Sequence, residues 1–489
     1  MTDGPLITIA AIGFVVVLIA AAEISVRLKA VEAEASRSFV HIIMGVAAAL
    51  LPIWFPSPNP FYPVAAVALI VTAVDGSRGM LHSIHGVERK TSGTAAFAAS
   101  FIVAAALCWS IAPERSFIFS SAMLVLALAD PLAADVGARN RRSAADGRKT
   151  FRGSIAFLVA TTVIVSGVLA VTGEWADRSL NMIVLAAVCC SLAAAAAEHV
   201  VDRGYDNLAI VVAVCTTLHL SLLPSSTALV LASALVVAPV FALLAFRARL
   251  LDIRGSAVAG MLAATILLLW DWRWIVPGLL FFTTASALSR IGRGRKATYE
   301  SRLQKGSVRD PAQVIANGGV PWLMLLGVAF LPADLWFWGY AGAFGAATAD
   351  TWSTEVGMLS PSDPRSIRTG RRVPPGTSGA VTVTGMVAAL VGAAVIAVAA
   401  APFAAATGYD VVAAMVVLSV AGLGGSLVDT FLGASVQALY VDSEGYHTEV
   451  ENGNRLVRGW RWLNNDGVNA AAGLAGATIA IAGFLGFVA

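Results

Sequence analysis

Charge is what this chain is short of. Only 13% of its 489 residues are Asp, Glu, Lys or Arg, while 58% are hydrophobic and mean hydropathy is +0.78. A soluble domain is about a quarter charged, so an ordinary water-soluble enzyme is excluded. Cysteine is scarce as well. Cys108, Cys189, Cys190 and Cys215 all sit inside apolar runs, and none has metal-ligand spacing. A cysteine metal centre and a disulfide scaffold are therefore excluded, and small apolar packing residues remain. There is no Walker A motif, because Gly147-Arg-Lys-Thr150 lacks the glycine required five residues earlier, and no GxGxxG occurs. Met1–Ala22 has no basic n-region and runs on into further apolar sequence, so it reads as a retained helix and not as a cleaved signal peptide.

What the chain does have is apolar runs of about twenty residues from end to end, the mark of a polytopic membrane protein. We read about sixteen transmembrane helices, among them Phe117–Val136, Val314–Leu331 (broken by Gly318, Gly319 and Pro321) and Ser378–Ala400. With the N-terminus outside, all of the 33 Lys and Arg except Arg115, Arg178 and Arg273 fall on the inner side. That bias sets orientation and puts both termini outside. The expected fold is thus an all-α polytopic membrane protein of two eight-helix modules, 1–223 and 224–489, joined at the outer turn Leu223-Pro-Ser-Ser226. No nucleic-acid partner is expected.

The two modules share chemistry. Asp130-x4-Asp135-Val136-Gly137 and Asp350-x4-Glu355-Val356-Gly357 both close an apolar helix. Each is followed by a Gly/Ser/Thr-rich stretch, Thr150-Phe-Arg-Gly153-Ser154 and Pro375-Gly376-Thr377-Ser-Gly379. Acids recur later as well: Glu198 and Asp206-Asn207 in one half, Asp429 and Asn465-Asp466 in the other. A carboxylate at membrane depth is costly and marks a functional candidate, and Pro131 after Asp130 predicts a broken helix lining a polar cavity. Asp135 reads equally well as a helix end. Arg37 and His41 read as structural or functional. Lys149 and the Gly153-Ser154 backbone suit phosphate at a helix start, or plain anchoring at the inner surface. Arg365, Arg368, Arg371 and Arg372 suit phosphate oxygens or anionic headgroups. Asn317 at the glycine break reads as a polar contact. Asn464, Asn465 and Asn469 together with Asp466 exceed what one N-cap requires.

At these residues a resemblance enters. Through Arg37-x3-His41-x3-Gly45, Asp130-x2-Ala133-x3-Gly137, Lys149-Thr150-x2-Gly153-Ser154 and Glu198-x7-Asp206-Asn207, the first half resembles the dolichol kinase/phytol kinase family of prenol kinases. Phosphatidate cytidylyltransferases share a related KT-x2-G element. The second half resembles the phytyl-phosphate kinase family. The carrying motifs there are Ser286-Ala-Leu-Ser-Arg290, Gln313-Val-Ile-Ala-Asn317-Gly-Gly, Asp350-Thr-Trp-Ser-Thr-Glu355, Pro375-Gly-Thr-Ser-Gly379, Asp429-Thr-Phe-Leu-Gly433-Ala-Ser-Val-Gln437 and Asn465-Asp-Gly-Val-Asn469.

The resemblances imply a bifunctional, Mg²⁺-dependent kinase, using CTP or another nucleoside triphosphate, that turns a prenol such as phytol or geranylgeraniol into the monophosphate and then the diphosphate. They assign Asp130, Glu198 and Asp206 to Mg²⁺ and the substrate hydroxyl at the first site, with Lys149, Thr150, Gly153, Ser154 and Asn207 around the nucleotide. They assign Asp350, Glu355 and Asp429 to Mg²⁺ at the second, with Arg290, Asn317, Arg365, Gly376, Thr377, Asn465 and Asn469 around phosphate. The expected setting is the plasma membrane, with both sites facing the cytoplasm. A CDP-lipid-forming cytidylyltransferase and a non-catalytic isoprenoid transporter are the alternatives.

Overall fold

A computed structural model describes residues 4–28, 32–78, 93–138, 150–172, 178–201, 206–223, 227–269, 271–292, 308–330, 334–374, 377–441, 447–451 and 453–488. The protein is an all-α polytopic membrane protein. Among the described residues, ten helices are long and apolar enough to cross a membrane, and four shorter apolar helices accompany them. The chain forms two compact units, Met1–Val237 and Ala238–Ala489.

The first unit contains α1 (Gly4–Arg27), α2 (Ala33–Trp54), α3 (Tyr62–Arg78), α4 (Gly93–Ala105), α5 (Ser116–Leu124), α6 (Asp130–Ala138), α7 (Phe151–Val171), α8 (Leu180–Val200) and α9 (Asp206–Ser221). The break expected at Pro131 is absent. Instead α5 and α6 form one rod through a π-helical turn, Val125–Ala129. A π turn lets the helix absorb a residue that cannot donate. The Asp130 N–H bonds to the Val125 carbonyl, so the Leu126 carbonyl loses its α-helical donor. Its π-helical donor would be residue 131, a proline without an N–H. His41 on α2 fills the gap, its Nε2 donating to the Leu126 carbonyl at 3.0 Å. The ring is braced edge-on by Phe97, with centroids 4.8 Å apart. His41 is therefore a plug for a helix defect, in keeping with its structural reading.

The second unit contains α11 (Ile253–Leu268), α12 (Trp272–Leu288), α13 (Pro311–Phe330), α14 (Leu335–Gly357), α15 (Val383–Ala406), α16 (Val411–Ser435) and α17 (Asn465–Val488); α10 (Ala228–Arg247) spans the division. Helix α14 is central and packs against α12, α13, α15, α16 and α17. Every residue from Phe337 to Ala349 is buried. Small residues allow this, as they do between membrane helices generally. A Cβ on Gly345 would lie 3.2 Å from the Gly422 Cα on α16, and one on Gly342 would lie 2.5 Å from the Gly476 carbonyl on α17. At one end of α14 an aromatic cluster locks the bundle: Phe337 stacks on Phe403 at 3.8 Å, and the Tyr340 hydroxyl donates to the Trp274 carbonyl. At the other end stands Asp350.

Two further expectations are corrected. Helix α13 is continuous through Gly318, Gly319 and Pro321. The helix expected at Ser378 begins at Val383, with Thr382 as its N-cap accepting from the Gly385 N–H at 3.0 Å. The residues before it form β2 (Ala380–Val381), antiparallel to β1 (Arg365–Ser366). Between α16 and α17 lies a three-stranded sheet in which β3 (Leu439–Val441) pairs with both β4 (His447–Thr448) and β5 (Arg455–Arg458).

Candidate functional site

A cleft of about 300 Å³ opens in the second unit where α13, α14, α16 and α17 end near one another. Asn317 of α13, Asp350 and Glu355 of α14 and Asp429 of α16 line it. Thr377 of the loop before β2 and Asn465 and Asn469 of α17 complete the set of predicted residues gathered there. Spacing explains part of this. Asn465 and Asn469 are four apart and share a helix face, while Asn464 serves as the cap, its Oδ1 accepting from the Gly467 N–H at 3.1 Å. The excess of amides is thereby divided between one cap and two cleft-lining side chains.

The Asp350 and Asp429 carboxyl groups face each other within hydrogen-bonding reach. Asp429 Oδ2 is buried without a hydrogen-bond partner among the described residues. A buried, unpartnered carboxylate oxygen is expensive, and a divalent cation is the kind of group that would satisfy it. Mg²⁺ commonly takes one or two protein carboxylates plus phosphate oxygens, and this pair fits that pattern. Glu355 does not join it. Five positions from Asp350 on an unbroken helix, it points about 140° away, and among the described residues no three acids, histidines or cysteines form a metal-binding group. Glu355 lies instead within electrostatic reach of Arg309.

Among the described residues Arg309 is the cation lining this cleft, and it was not singled out from sequence. Its backbone is pinned on both sides: its N–H donates to the Leu250 carbonyl at 3.1 Å, and its carbonyl accepts from the Asp252 N–H at 3.0 Å. The next residue opens α13 with a reciprocal cap, Gln313 N–H to Asp310 Oδ1 at 2.9 Å and Asp310 N–H to Gln313 Oε1 at 3.1 Å. Burial holds the guanidinium below its ordinary pKa and the Glu355 carboxylate opposes that shift; an arginine stays charged all the same.

The two arginines predicted for phosphate lie elsewhere. Arg290 donates to the Ala248 carbonyl at 2.5 Å, and Arg365 donates to the Gly370 carbonyl at 3.0 Å and lines a separate groove. Thr377 is committed locally, its hydroxyl and N–H both donating to the Pro374 carbonyl at 2.7 and 3.2 Å. Gly376 and Lys149 lie outside the described residues. Gln313, Gln437 and Glu449 also line the cleft and carry no assignment from the sequence. Both glutamines stand inside motifs that carry the family resemblance. Glu449 had no such signal, yet it accepts from Ser378 Oγ at 2.5 Å and from Gln437 Nε2 at 2.8 Å, tying the loop, the end of α16 and the sheet together.

In the first unit, Asp130 directly follows the bulge that His41 plugs, and Asp206 and Arg37 are the charged groups within electrostatic reach of that imidazole. Asp130 is half-buried, Glu198 and Asn207 are buried, and Asp135 is exposed at the helix end. Thr150 caps α7, accepting from the Gly153 N–H at 3.2 Å. A Cβ on Gly153 would lie 2.8 Å from the Ala133 carbonyl, and one on Gly137 would lie 2.9 Å from Thr150 Oγ1. The second unit repeats this crossing. A Cβ on Gly385 would lie 2.9 Å from the Ser353 carbonyl, and one on Gly357 would lie 3.4 Å from Thr382 Oγ1. The counterpart of Thr150-Phe-Arg-Gly153 is therefore Thr382-Val-Thr-Gly385, not Pro375–Gly379.

Residues 236–477 match the family described as Integral membrane protein DUF92. The whole cleft lies inside that stretch. The chain is also similar to Protein PGR of Arabidopsis thaliana, at 29% identity over 42% of this chain and 78% of that protein. An uncharacterized membrane protein of Methanocaldococcus jannaschii is 29% identical over 40% of this chain and 78% of its own length. Another from Synechocystis is 28% identical over 48% and 82%. No solved structure matches the chain significantly.

Proposed function

We propose that the chain is a bifunctional membrane phosphotransferase. The first unit would convert a prenol of the phytol or geranylgeraniol type to its monophosphate. The second would convert that monophosphate to the diphosphate, with CTP or another nucleoside triphosphate as donor. The observation that carries the reading is the Asp350–Asp429 pair, set in one cleft with the Arg309 guanidinium and the amides of Asn317, Asn465 and Asn469.

Phosphoryl transfer is mostly positioning and charge neutralisation. In the second step a terminal oxygen of the prenyl monophosphate attacks the γ-phosphorus. The bond from that phosphorus to the β,γ-bridging oxygen breaks, and the nucleoside diphosphate leaves with the electron pair. The acceptor is already ionised, so no general base is required. Asp350 and Asp429 would hold Mg²⁺, which when bound neutralises phosphate oxygens. Arg309 supplies fixed positive charge to the same oxygens, and the three asparagines donate hydrogen bonds. In the first step Asp130, with Glu198 and Asp206, positions the prenol hydroxyl. We place the protein in the plasma membrane with both sites facing the cytoplasm, where nucleotide is available.

The test is product analysis. Purified protein given phytol, CTP and Mg²⁺ should release CDP and form both mono- and diphosphate. Asp350→Ala should accumulate the monophosphate, and Asp130→Ala should still convert supplied monophosphate. Equal loss of both activities in both folded variants refutes the two-site reading. Pyrophosphate in place of CDP would mean cytidylyl transfer instead.

A further inference from the structure

A second, smaller cavity of about 110 Å³ adjoins the cleft and shares three of its walls, Gln437, Glu449 and Asn465. Its remaining lining differs in kind. Trp462 and Tyr440 supply aromatic surface, Glu451 an acceptor, and Arg461 and Asn464 donors. Trp462 stacks on Trp460 with ring centroids 5.3 Å apart and planes 16° from parallel. Both rings are largely solvent-exposed, at 74% and 53%.

The segment that presents them is held firmly. The Trp460 N–H donates to the Val436 carbonyl at 3.0 Å, and the Ala438 N–H donates to the Leu463 carbonyl at 2.9 Å. Gly459, at φ +80°, lets this strand press against the Gln437 backbone. The aromatic platform is thereby fixed to the same residue, Gln437, that walls the cleft.

We infer that this cavity receives the base of the nucleoside triphosphate, while the cleft beside it receives the phosphates. The inference rests on the kinase reading of that cleft. An aromatic base lying on Trp462 extends the existing Trp460–Trp462 stack, and stacking of this kind is tolerant of base identity. Glu451 accepts from a base N–H, and Arg461 and Asn464 donate to ring nitrogens or carbonyl oxygens; these are the complements that base edges require. The shared walls Gln437, Glu449 and Asn465 set a base in the smaller cavity directly beside phosphates in the cleft. A pair of interfacial tryptophans serving only as a membrane anchor would not need polar groups of both signs around them, nor a cavity that shares walls with the cleft of the acid pair.

The experiment measures equilibrium binding of CTP, ATP and inorganic tripolyphosphate to the full chain in detergent, alongside turnover with phytyl monophosphate. Trp462 is exposed, so its replacement leaves the fold intact. Trp462→Ala should weaken both nucleotides about tenfold or more and change tripolyphosphate by less than about twofold, and Trp462→Tyr should restore most of the loss. A KM effect on the nucleotide with little change in kcat is expected in turnover. If Trp462→Ala leaves nucleotide binding unchanged, or weakens tripolyphosphate equally, the base site is wrong even though transfer persists. If the unaltered protein neither binds nucleotide nor transfers phosphate, the kinase reading itself falls, and this inference with it.

Discussion

Replacing His41 by Phe should open the first unit without touching the second. The substitution keeps an aromatic ring against Phe97 but removes the donor to Leu126. That carbonyl then has no α-helical donor, because the Asp130 N–H goes to Val125, and no π-helical one, because residue 131 is proline. Leaving a buried acceptor unpaired costs about 1–3 kcal/mol, which is about a 5- to 150-fold rise in the open population. A reporter confined to this unit is built in. All four cysteines lie before residue 237 and all are buried, so maleimide labelling of the full-length protein follows local opening of the first unit alone. His41→Gln, which keeps an N–H donor of similar reach, should recover most of the protection. The decisive variant is the double one. Pro131→Ala restores an N–H next to the bulge, so His41→Phe should cost much less on that background. Additive effects of the two substitutions, or equal labelling of His41→Phe and the unaltered protein, would refute the account of the bulge.

Other consequences are simpler to state. Arg309→Met should raise the KM for the nucleoside triphosphate in the second step about tenfold or more, the scale of a lost charge-assisted contact, and Arg309→Lys should recover only part because a point charge replaces a fork; unchanged kinetics would remove Arg309 from the cleft's chemistry. Gly153→Ala and Gly385→Ala should each destabilise their own unit by about 1–3 kcal/mol, since the added Cβ meets a backbone carbonyl at 2.8 and 2.9 Å; cysteine labelling should report the first and not the second. Gly379→Ala combines φ +77° with a clash against the Ala434 backbone. It should therefore displace Ser378 from Glu449 and lower turnover of the second step only. Glu198→Ala should block monophosphate formation while sparing conversion of supplied monophosphate.

The membrane class was legible because hydropathy and charge act locally: long apolar runs and the placement of Lys and Arg need no tertiary information. The gathering of Asn317, Asp350, Asp429, Asn465 and Asn469 was legible because polar groups inside apolar helices are costly enough to be kept for a reason. What failed depended on through-space geometry. Nothing in the sequence of the basic loop from Arg290 to Arg309 marks its last arginine, which its backbone ties to Leu250 and Asp252 set at the cleft. Glu355 looked like a metal ligand because it shares a motif with Asp350, but helix periodicity turns it toward Arg309. Pro131, Gly318 and Pro321 suggested broken helices. A π turn plugged by His41 repairs the first, and α13 runs on through the other two.

The chemistry shared by the two units follows a different register from the one their glycine-rich stretches suggest. Asp130 precedes Gly137 by seven residues and Asp350 precedes Gly357 by seven. From that glycine to the capping threonine is 13 residues in the first unit but 25 in the second. The difference is the β1–β2 ribbon, whose Gly-rich end imitates a helix start. Past the ribbon the spacing agrees again: Glu198 follows Thr150 by 48 residues and Asp429 follows Thr382 by 47. Each unit thus carries an acid seven residues before a glycine, a threonine cap packed on that glycine, and a second acid on the following helix. In the second unit the first and last of these acids face each other across the cleft. In the first unit Glu198 stands at the position along the chain that Asp429 holds in the second, so Glu198→Ala is the informative companion to Asp130→Ala. A ribbon between two helices changes chain length without changing which helices hold the acids, which is why sequence proximity to the glycine-rich stretch misleads.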